Sequence, residues 1–279
     1  MTKTIRPRRS MLYIPGDKPR ALEKAKTLDC DAVIFDLEDA VAAENKARAR
    51  DGIAEAVRAG GYGGRELILR VSSVECAEDF ALASALPIDG VLLPKVESAA
   101  TAAEASARTP HAIWCMIETP LGVLRAGEIA GSSGRLAGFV AGTNDLTKDL
   151  RARHTPDRMP LLASLSLMVL AARAYGLAVI DGVHLDLDDA EGFAAACRQG
   201  IELGFDGKSL VHPNSIEPAN RIFGPSPDEV ARARSMVAAW EDARAQGLGV
   251  ARIDGAMVEQ LHVDQASRLI ALADAIARR

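Results

Sequence analysis

No two of the four cysteines, Cys30, Cys76, Cys115 and Cys197, stand at a CxxC spacing. Cys115 and Cys197 sit in apolar surroundings. All four read as reduced thiols, mostly core fillers, and not as zinc ligands. A basic block or tail is missing too, and the formal charge is −5. That argues against phosphate-backbone binding, so nucleic acid is not an expected partner. The longest apolar runs are too short to span a bilayer. The basic opening "MTKTIRPRRS" is followed by no apolar signal-peptide core. A membrane role is therefore not expected, and a cytoplasmic location is. No low-complexity segment interrupts the chain. What is there is 279 residues, 48% of them hydrophobic. That suffices for one large core or two domains of ordinary size.

The core is written as a repeat of roughly 25–35 residues: an apolar run, a polar or glycine-rich break, then a helical stretch. The runs are "MLYIPGD" (Met11–Asp17), "AVIFDLED" (Ala32–Asp39), "LILRVSS" (Leu67–Ser73), "GVLLPKV" (Gly90–Val96), "AIWCMIETPLG" (Ala112–Gly122), "GFVAGTNDL" (Gly138–Leu146), "LAVIDGV" (Leu177–Val183) and "DGKSLVHP" (Asp206–Pro213). Helices are expected after each. Pro120–Ala130 follows the fifth run. After the sixth, a loop to Pro160 comes first, then a helix to about Tyr175. Near-continuous apolar strands alternating with helices predict a (β/α)8 barrel, with a doubly wound open sheet as the competing α/β layout. Residues 1–222 are assigned to it. The segment 223–279 departs from the repeat. Ser226, Pro227 and Glu229 form a capping box with proline at the first helical position. A helix to about Gln246, a hairpin around Asp254-Gly255 and a helix over Val263–Ile276 follow. This C-terminal extension is long enough to cover a barrel mouth, on its own or a neighbouring subunit.

In such a barrel the chemistry sits at the C-terminal strand ends. Those ends carry Tyr13, Asp17, Asp36, Glu38, Asp39, Arg70, Lys95, Glu118, Asn144, Asp145, Asp181 and His212. Glu118 and Asp145 come from neighbouring strands. Two hard carboxylates with open positions suit Mg²⁺. Singly, either acid is equally a charge placed at a helix N-terminus. Asp36, Glu38 and Asp39 either orient the waters of that ion or pair with Lys46 or Arg48. Arg70 ends an apolar run, where it can grip a substrate carboxylate bidentately or pair with the acids. Arg20 and Lys24 are four apart on the first helix, with Lys18 beside them. They suit the phosphates of a nucleotide-bearing substrate, although spacing alone favours a solvated face.

These stretches together resemble the citrate lyase β-subunit-like family of CoA-ester lyases, which includes malyl-CoA and citramalyl-CoA lyases. The resemblance rests on "RRSMLYIPGDKPR", "AVIFDLEDAV", "LRVSS", "LLPKVES", "MIETPLGV", "AGTNDL" and "DGKSLVHPNSI", in the family's order and over almost the whole chain. It implies a barrel of the phosphoenolpyruvate/pyruvate type. It makes Glu118 and Asp145 the ligands of Mg²⁺, with Mn²⁺ as a substitute. Arg70 becomes the arginine that binds the keto-acid carboxylate. Tyr13, Lys18, Arg20 and Lys24 become contacts to the CoA ester, and Asn144, Val211 and His212 further substrate contacts. It also implies a homo-oligomer, a trimer or hexamer, in which a C-terminal segment helps cover a neighbour's site.

One position departs from the pattern. The family's tail motif Gly-x-Met-(Ile/Val)-Asp reads "GAMVE" here, so Glu259 stands where the catalytic aspartate is expected. The extra methylene moves the acid by roughly 1–1.5 Å, a shift that can lower a rate about a hundredfold in a tight site. Glu259 is expected to be the acid/base, or to position a water; otherwise it is an exposed helix-start residue. The resulting expectation is a Mg²⁺-dependent lyase. It would cleave a 3-hydroxy-acyl-CoA of malyl-, methylmalyl- or citramalyl-CoA type into an acyl-CoA and a 2-oxo acid such as glyoxylate, pyruvate or oxaloacetate, or run the reverse. The competing readings are a malyl-CoA-type thioesterase on the same site, a citrate lyase β subunit acting on an acyl-carrier-protein thioester, and a non-catalytic CoA-ester binder.

Overall fold

The computed structural model describes residues 5–248, 250–253 and 256–279. Eight parallel strands close a barrel in chain order: β1 (Ser10–Pro15), β2 (Ala32–Asp36), β3 (Glu66–Arg70), β4 (Gly90–Leu93), β5 (Ala112–Ile117), β6 (Leu136–Ala141), β7 (Ala178–Asp181) and β8 (Gly207–Leu210), with β8 paired back to β1. The helices between them are α1 (Pro19–Ala25), α2 (Lys46–Ala59), α3 (Ala77–Ser84), α4 (Ala99–Arg108), α5 (Pro120–Leu124), α6 (Ala126–Ala130), α7 (Thr143–Asp149), α8 (Leu162–Ala174), α9 (Ala190–Leu203) and α10 (Ile216–Phe223). Helix starts follow local chemistry. Ser98, Thr119 and Asp189 each accept a backbone N–H with their side chains at the starts of α4, α5 and α9. The barrel expected from the repeat is the one observed.

Side chains alternate across each strand, and this sorts the core into two layers. One residue set faces the barrel axis: Met11, Ile34, Ile68, Leu92, Trp114, Met116, Val140 and Ile180 pack together with Tyr13. The other set, including Leu12, Val33, Phe35, Leu69, Leu93, Cys115 and Phe139, packs outward against the helices. Trp114 fills the axis, with the Arg8 guanidinium 4.7 Å from its ring. Room for it comes from Gly138, where a Cβ would lie 2.6 Å from the indole. Continuing the inward series along four strands gives Tyr13, Asp36, Arg70 and Glu118. Alternation thus delivers these four side chains to the barrel mouth.

Asp181 was expected among them but belongs to the outward series, one step out of phase with Ile180. It is fully buried behind the barrel wall, with Lys208 Nζ at 2.8 Å and Arg158 Nη1 at 2.7 Å. Burial pushes its carboxyl up, but Lys208 and Arg158 outweigh that and hold it below the usual range. Two other expectations are corrected. The sixth run is not strand as far as Leu146: β6 ends at Ala141 and α7 begins at Thr143, so Asp145 lies in a first helical turn and the expected loop starts only after Asp149. The apolar run continues because Leu146 is buried on that helix. The single helix expected over Pro120–Ala130 is two, α5 and α6, separated at Arg125.

Arg8–Phe223 forms one compact unit, and Gly224–Arg279 belongs to a second. In the latter, α11 (Pro227–Ala245) starts with the expected capping box, Glu229 Oε2 accepting from Ser226 N at 2.8 Å. Antiparallel β9 (Ala251–Ile253) and β10 (Ala256–Val258) follow, then α12 (Gln260–Ala277). Asp254 and Gly255, the expected turn, lie outside the described residues. Trp240, Ala243, Ala251, Val258 and Val263 form this unit's own small core. No helix among the described residues is long and apolar enough to cross a membrane.

Lys208 is 1% exposed and rests on Asp181. Asp181→Ala is therefore expected to leave a buried ammonium uncompensated and to destabilise the protein by about 3–5 kcal/mol. Urea denaturation measures this. A loss below about 1 kcal/mol would show the pair to be dispensable.

Candidate active site

A cavity of about 330 Å³ opens at the C-terminal ends of the strands, lined by Tyr13, Asp36, Arg70, Met116, Glu118 and Asp145 among others. Glu118 directly follows β5 and is 1% exposed. Its Oε1 accepts the backbone N–H of Lys95 at 2.7 Å. Lys95 reaches it from left-handed backbone, φ 49°, an uncommon conformation for a residue with a side chain. The end of β6 passes so close that a Cβ on Gly142 would collide with the Glu118 carboxylate. Burial pushes the Glu118 carboxyl up to about 7. The Lys95 amide bond opposes this, the charges of Glu38 and Asp145 add to it, and Arg70 opposes it again. Asp145, partly exposed, completes a pair of acids on the same cavity.

Arg70 is 7% exposed and heavily engaged. Its Nε donates to Asp36 Oδ1 at 2.7 Å and its Nη2 to Asp36 Oδ2 at 2.5 Å. Nη1 lies 2.6 Å from Glu38 Oε2 and 3.9 Å from a carboxylate oxygen of exposed Asp39. The strand register explains the fork, because Asp36 of β2 is paired directly with Arg70 of β3. Glu38 also takes Lys95 Nζ at 2.8 Å on its other oxygen. Even so, burial pushes the Glu38 carboxyl up, against the pull of Arg70 and Lys95. The partners considered from sequence, Lys46 and Arg48, are not the ones used. Lys46 Nζ donates to the carbonyl oxygens of Leu37 and Glu38, and Arg48 approaches Asp17 at 3.6 Å.

Two donors in this cavity rest on a weak acceptor. Arg70 Nη1 lies 3.6 Å from Met116 Sδ, and the Tyr13 hydroxyl 3.8 Å from the same sulfur. The guanidinium also stacks on the Tyr13 ring at 4.8 Å. Burial raises the Tyr13 pKa, so the phenol stays a neutral donor. A ligand oxygen is a better acceptor than a thioether and would outcompete it for both.

The other expected site residues are placed less uniformly. Asn144 and Val211 line the cavity. His212 does not; its Nδ1 accepts from Asn214 N at 3.2 Å and caps a short turn. Lys18, Arg20 and Lys24 are exposed at and along α1, outside the cavity lining, and Lys18 Nζ sits 3.2 Å from Asp17. Glu259 is exposed in the second unit at the N-cap of α12, where its N–H donates to His262 Nδ1 at 3.1 Å. Met116 and Ser209 line the cavity and were not singled out from sequence. Met116 was findable, lying two residues before Glu118 on the same face of β5.

The residues that could hold a divalent cation are Glu118 and Asp145. No group of three or more His, Cys, Asp or Glu side chains able to hold a metal occurs among the described residues. Two carboxylates, with water and substrate oxygens completing the shell, is a normal arrangement for Mg²⁺. A buried carboxylate that burial and neighbouring acids hold near 7 fits such an ion.

Residues 9–213 match the profile of the HpcH/HpaI aldolase/citrate lyase family. A (3S)-malyl-CoA thioesterase of Cereibacter sphaeroides is 47% identical over 99% of this chain and 98% of its own length. A citrate lyase subunit beta of Leuconostoc mesenteroides is 35% identical, covering 96% of this chain and 94% of its own. Among solved structures, CitE of Mycobacterium tuberculosis in complex with magnesium, acetoacetate and coenzyme A superposes with a TM-score of 0.78. It shares 29% identity over 95% of this chain and 97% of that one. With a closed eight-stranded barrel and matches over nearly its whole length, the chain belongs to the HpcH/HpaI aldolase/citrate lyase family.

Proposed function

We propose that this protein binds a divalent cation, Mg²⁺ first and Mn²⁺ as a substitute, through Glu118 and Asp145. Its substrate in this reading is a CoA thioester whose acyl chain bears a carboxylate beside a hydroxyl, of the malyl-CoA type. The observation that carries the reading is one cavity shared by a buried carboxylate short of counter-charge, a second acid and Arg70. The magnesium, acetoacetate and coenzyme A of the M. tuberculosis relative support the same ligand classes. When bound, the ion supplies Lewis-acid stabilisation to the hydroxy-acid end of the substrate. The protein's own groups orient that end. Arg70 Nη1 and the Tyr13 hydroxyl exchange Met116 Sδ for substrate oxygens, and Asp36 keeps the guanidinium from turning.

Two fates are open to such a substrate. In hydrolysis, a water oxygen bonds to the thioester carbonyl carbon, the C–S bond breaks, and the CoA thiolate leaves and takes a proton. In retro-Claisen cleavage, the hydroxyl loses its proton and the adjacent C–C bond breaks. Its electron pair passes to the enolate of an acyl-CoA, which is protonated at carbon. We favour hydrolysis. The thioesterase relative at 47% identity supports it, and so does the longer acid Glu259, suited to positioning a water. Lyase chemistry is the second reading, supported by the family and by the citrate lyase subunit at 35% identity. In either, Glu259 is the proposed acid/base, and residues 223–279 form a lid over their own or a neighbouring site in a trimer or hexamer.

Incubation of the purified protein with Mg²⁺ and malyl-, methylmalyl- or citramalyl-CoA, read by mass, is expected to give the free hydroxy diacid and CoA. Glyoxylate or pyruvate with an acyl-CoA moves the assignment to lyase. Turnover only of a carrier-protein thioester moves it to a citrate lyase subunit. Glu259→Ala should abolish turnover while Mg²⁺ still binds; unchanged turnover removes Glu259 from the mechanism. Arg70→Lys cannot reproduce the fork on Asp36 and should lower kcat/KM by about 10²–10³-fold.

A pH test bears on Glu118. Its folded-state pKa lies above the ordinary carboxylate value, so the metal-free fold loses stability as pH rises from that value through about 7. Glu118→Gln keeps an acceptor for the Lys95 amide and removes the charge. It should raise the melting temperature at about pH 8, leave it unchanged at about pH 4, and lose the stabilisation that Mg²⁺ gives the wild type. Calorimetry with and without Mg²⁺ measures all three.

A further inference from the structure

A second cavity, of about 410 Å³, lies beside the first, between residues 150–161 and 182–189. Thr143, Asn144, Val183 and Leu185 line both. Its floor is built on Arg158, held in left-handed backbone at φ 53°. Such a conformation persists in a residue with a side chain only where the surroundings enforce it. The enforcement is visible here. Arg158 Nε donates to Gln199 Oε1 at 2.6 Å, and Nη1 donates to both oxygens of Asp181 at 2.8 and 2.7 Å. Gln199 is itself fixed, its Nε2 donating to the carbonyl of Asp157 at 2.6 Å. The remaining guanidinium nitrogen, Nη2, is buried and has no hydrogen-bond partner among the described residues.

His184 faces the same cavity in the same condition. Its Nε2 is buried and has no hydrogen-bond partner among the described residues, and a carboxylate oxygen of Asp189 is 3.7 Å away. That is beyond hydrogen-bonding distance. The ring is held edge-on to Phe193, with centroids 5.9 Å apart. A buried polar group without a partner is costly, so such groups are few in a native protein. Arg158 and His184 both line this one cavity, with Arg153 and His154 exposed on its lining. Asp186 and Asp189 also line the cavity, each with one oxygen turned to backbone: Asp189 Oδ1 accepts from Gly192 N at 2.8 Å, and Asp186 Oδ1 from Asp188 N at 3.1 Å.

We infer that this second cavity is a binding subsite for a small carboxylate, held by Arg158 Nη2 and His184 Nε2–H. A carboxylate offers two acceptor oxygens on one carbon, which suits one guanidinium N–H and one imidazole N–H together. Asp181 already offsets the charge of Arg158, so recognition rests on directed hydrogen bonds, with Arg153 adding positive charge. The subsite goes beyond the reading of the first cavity and uses neither Glu118, Asp145 nor Arg70. The carboxylate has two sources. One is a free organic acid; the other is an acidic arm of the thioester substrate, entering past Asn144 and Leu185.

Titration calorimetry of the whole protein with malonate, without added metal, tests this. Saturable binding is expected in the wild type and in Glu118→Gln, and weakened about tenfold or more in His184→Phe and Arg158→Gln. His184→Phe keeps an aromatic ring against Phe193 and carries the test if Arg158→Gln fails to fold. Equal affinity in His184→Phe overturns the proposal. So does absence of binding, or binding lost in Glu118→Gln and kept in His184→Phe. In turnover assays, malonate inhibition that is relieved by His184→Phe separates the sources. Competition with the thioester points to the substrate's own arm, and a non-competitive pattern to a free acid.

Discussion

Arg70, forked onto Asp36 and in contact with Glu38, lets several acids share one small rim. Five carboxylates, those of Asp36, Glu38, Asp39, Glu118 and Asp145, line or adjoin the cavity. Unpaired, acids buried so close together cannot all stay ionised. Arg70 and Lys95 supply two positive charges among these five acids. The acid left short of a cation is Glu118, whose one hydrogen bond among the described residues is to a neutral amide and whose carboxyl burial pushes up to about 7. The cations thus fix which acid is left needing a partner, and the proposed ion corrects that imbalance.

Rigidity comes from the fold. Asp36 and Arg70 are paired residues of adjacent strands, and Met116 and Glu118 are inward-facing neighbours on one strand. Their spacing is therefore set by the barrel ladder, not by loops. The second cavity is built differently, on a clamped arginine in a loop and a histidine across from it. The two cavities share a wall, and one is built on strands and the other on loops.

The barrel was legible because its strands alternate with helices at an even spacing and are apolar on both faces. Most of the rim was legible for a second reason, since polar residues replaced apolar ones at the ends of the runs. Where reading failed, the missing information was phase or pairing. Asp181 ends a strand as Asp36 does, but on the opposite face, and only the register shows it. The start of α7 was hidden because Leu146, buried on the helix, was read as the end of the strand's run. Lys46 and Arg48 are near the acids in sequence, whereas Arg70 and Lys95 reach them across strands. The second cavity depends on the backbone of Arg158, which no composition or spacing reveals. Glu259 was legible only through the family resemblance, which says what kind of acid is expected there and nothing about its surroundings.

Lys95 does two separable jobs. Its main chain, in left-handed geometry, presents an N–H to Glu118, and its side chain carries an ammonium to Glu38. Most substitutions would disturb both together: the ammonium is lost and another Cβ must bear the same backbone conformation. Glycine alone divides them, relaxing the backbone and keeping the amide while deleting the charge. For anyone redesigning this barrel mouth, position 95 is in effect two sites written in one residue, and a conventional alanine scan cannot tell them apart.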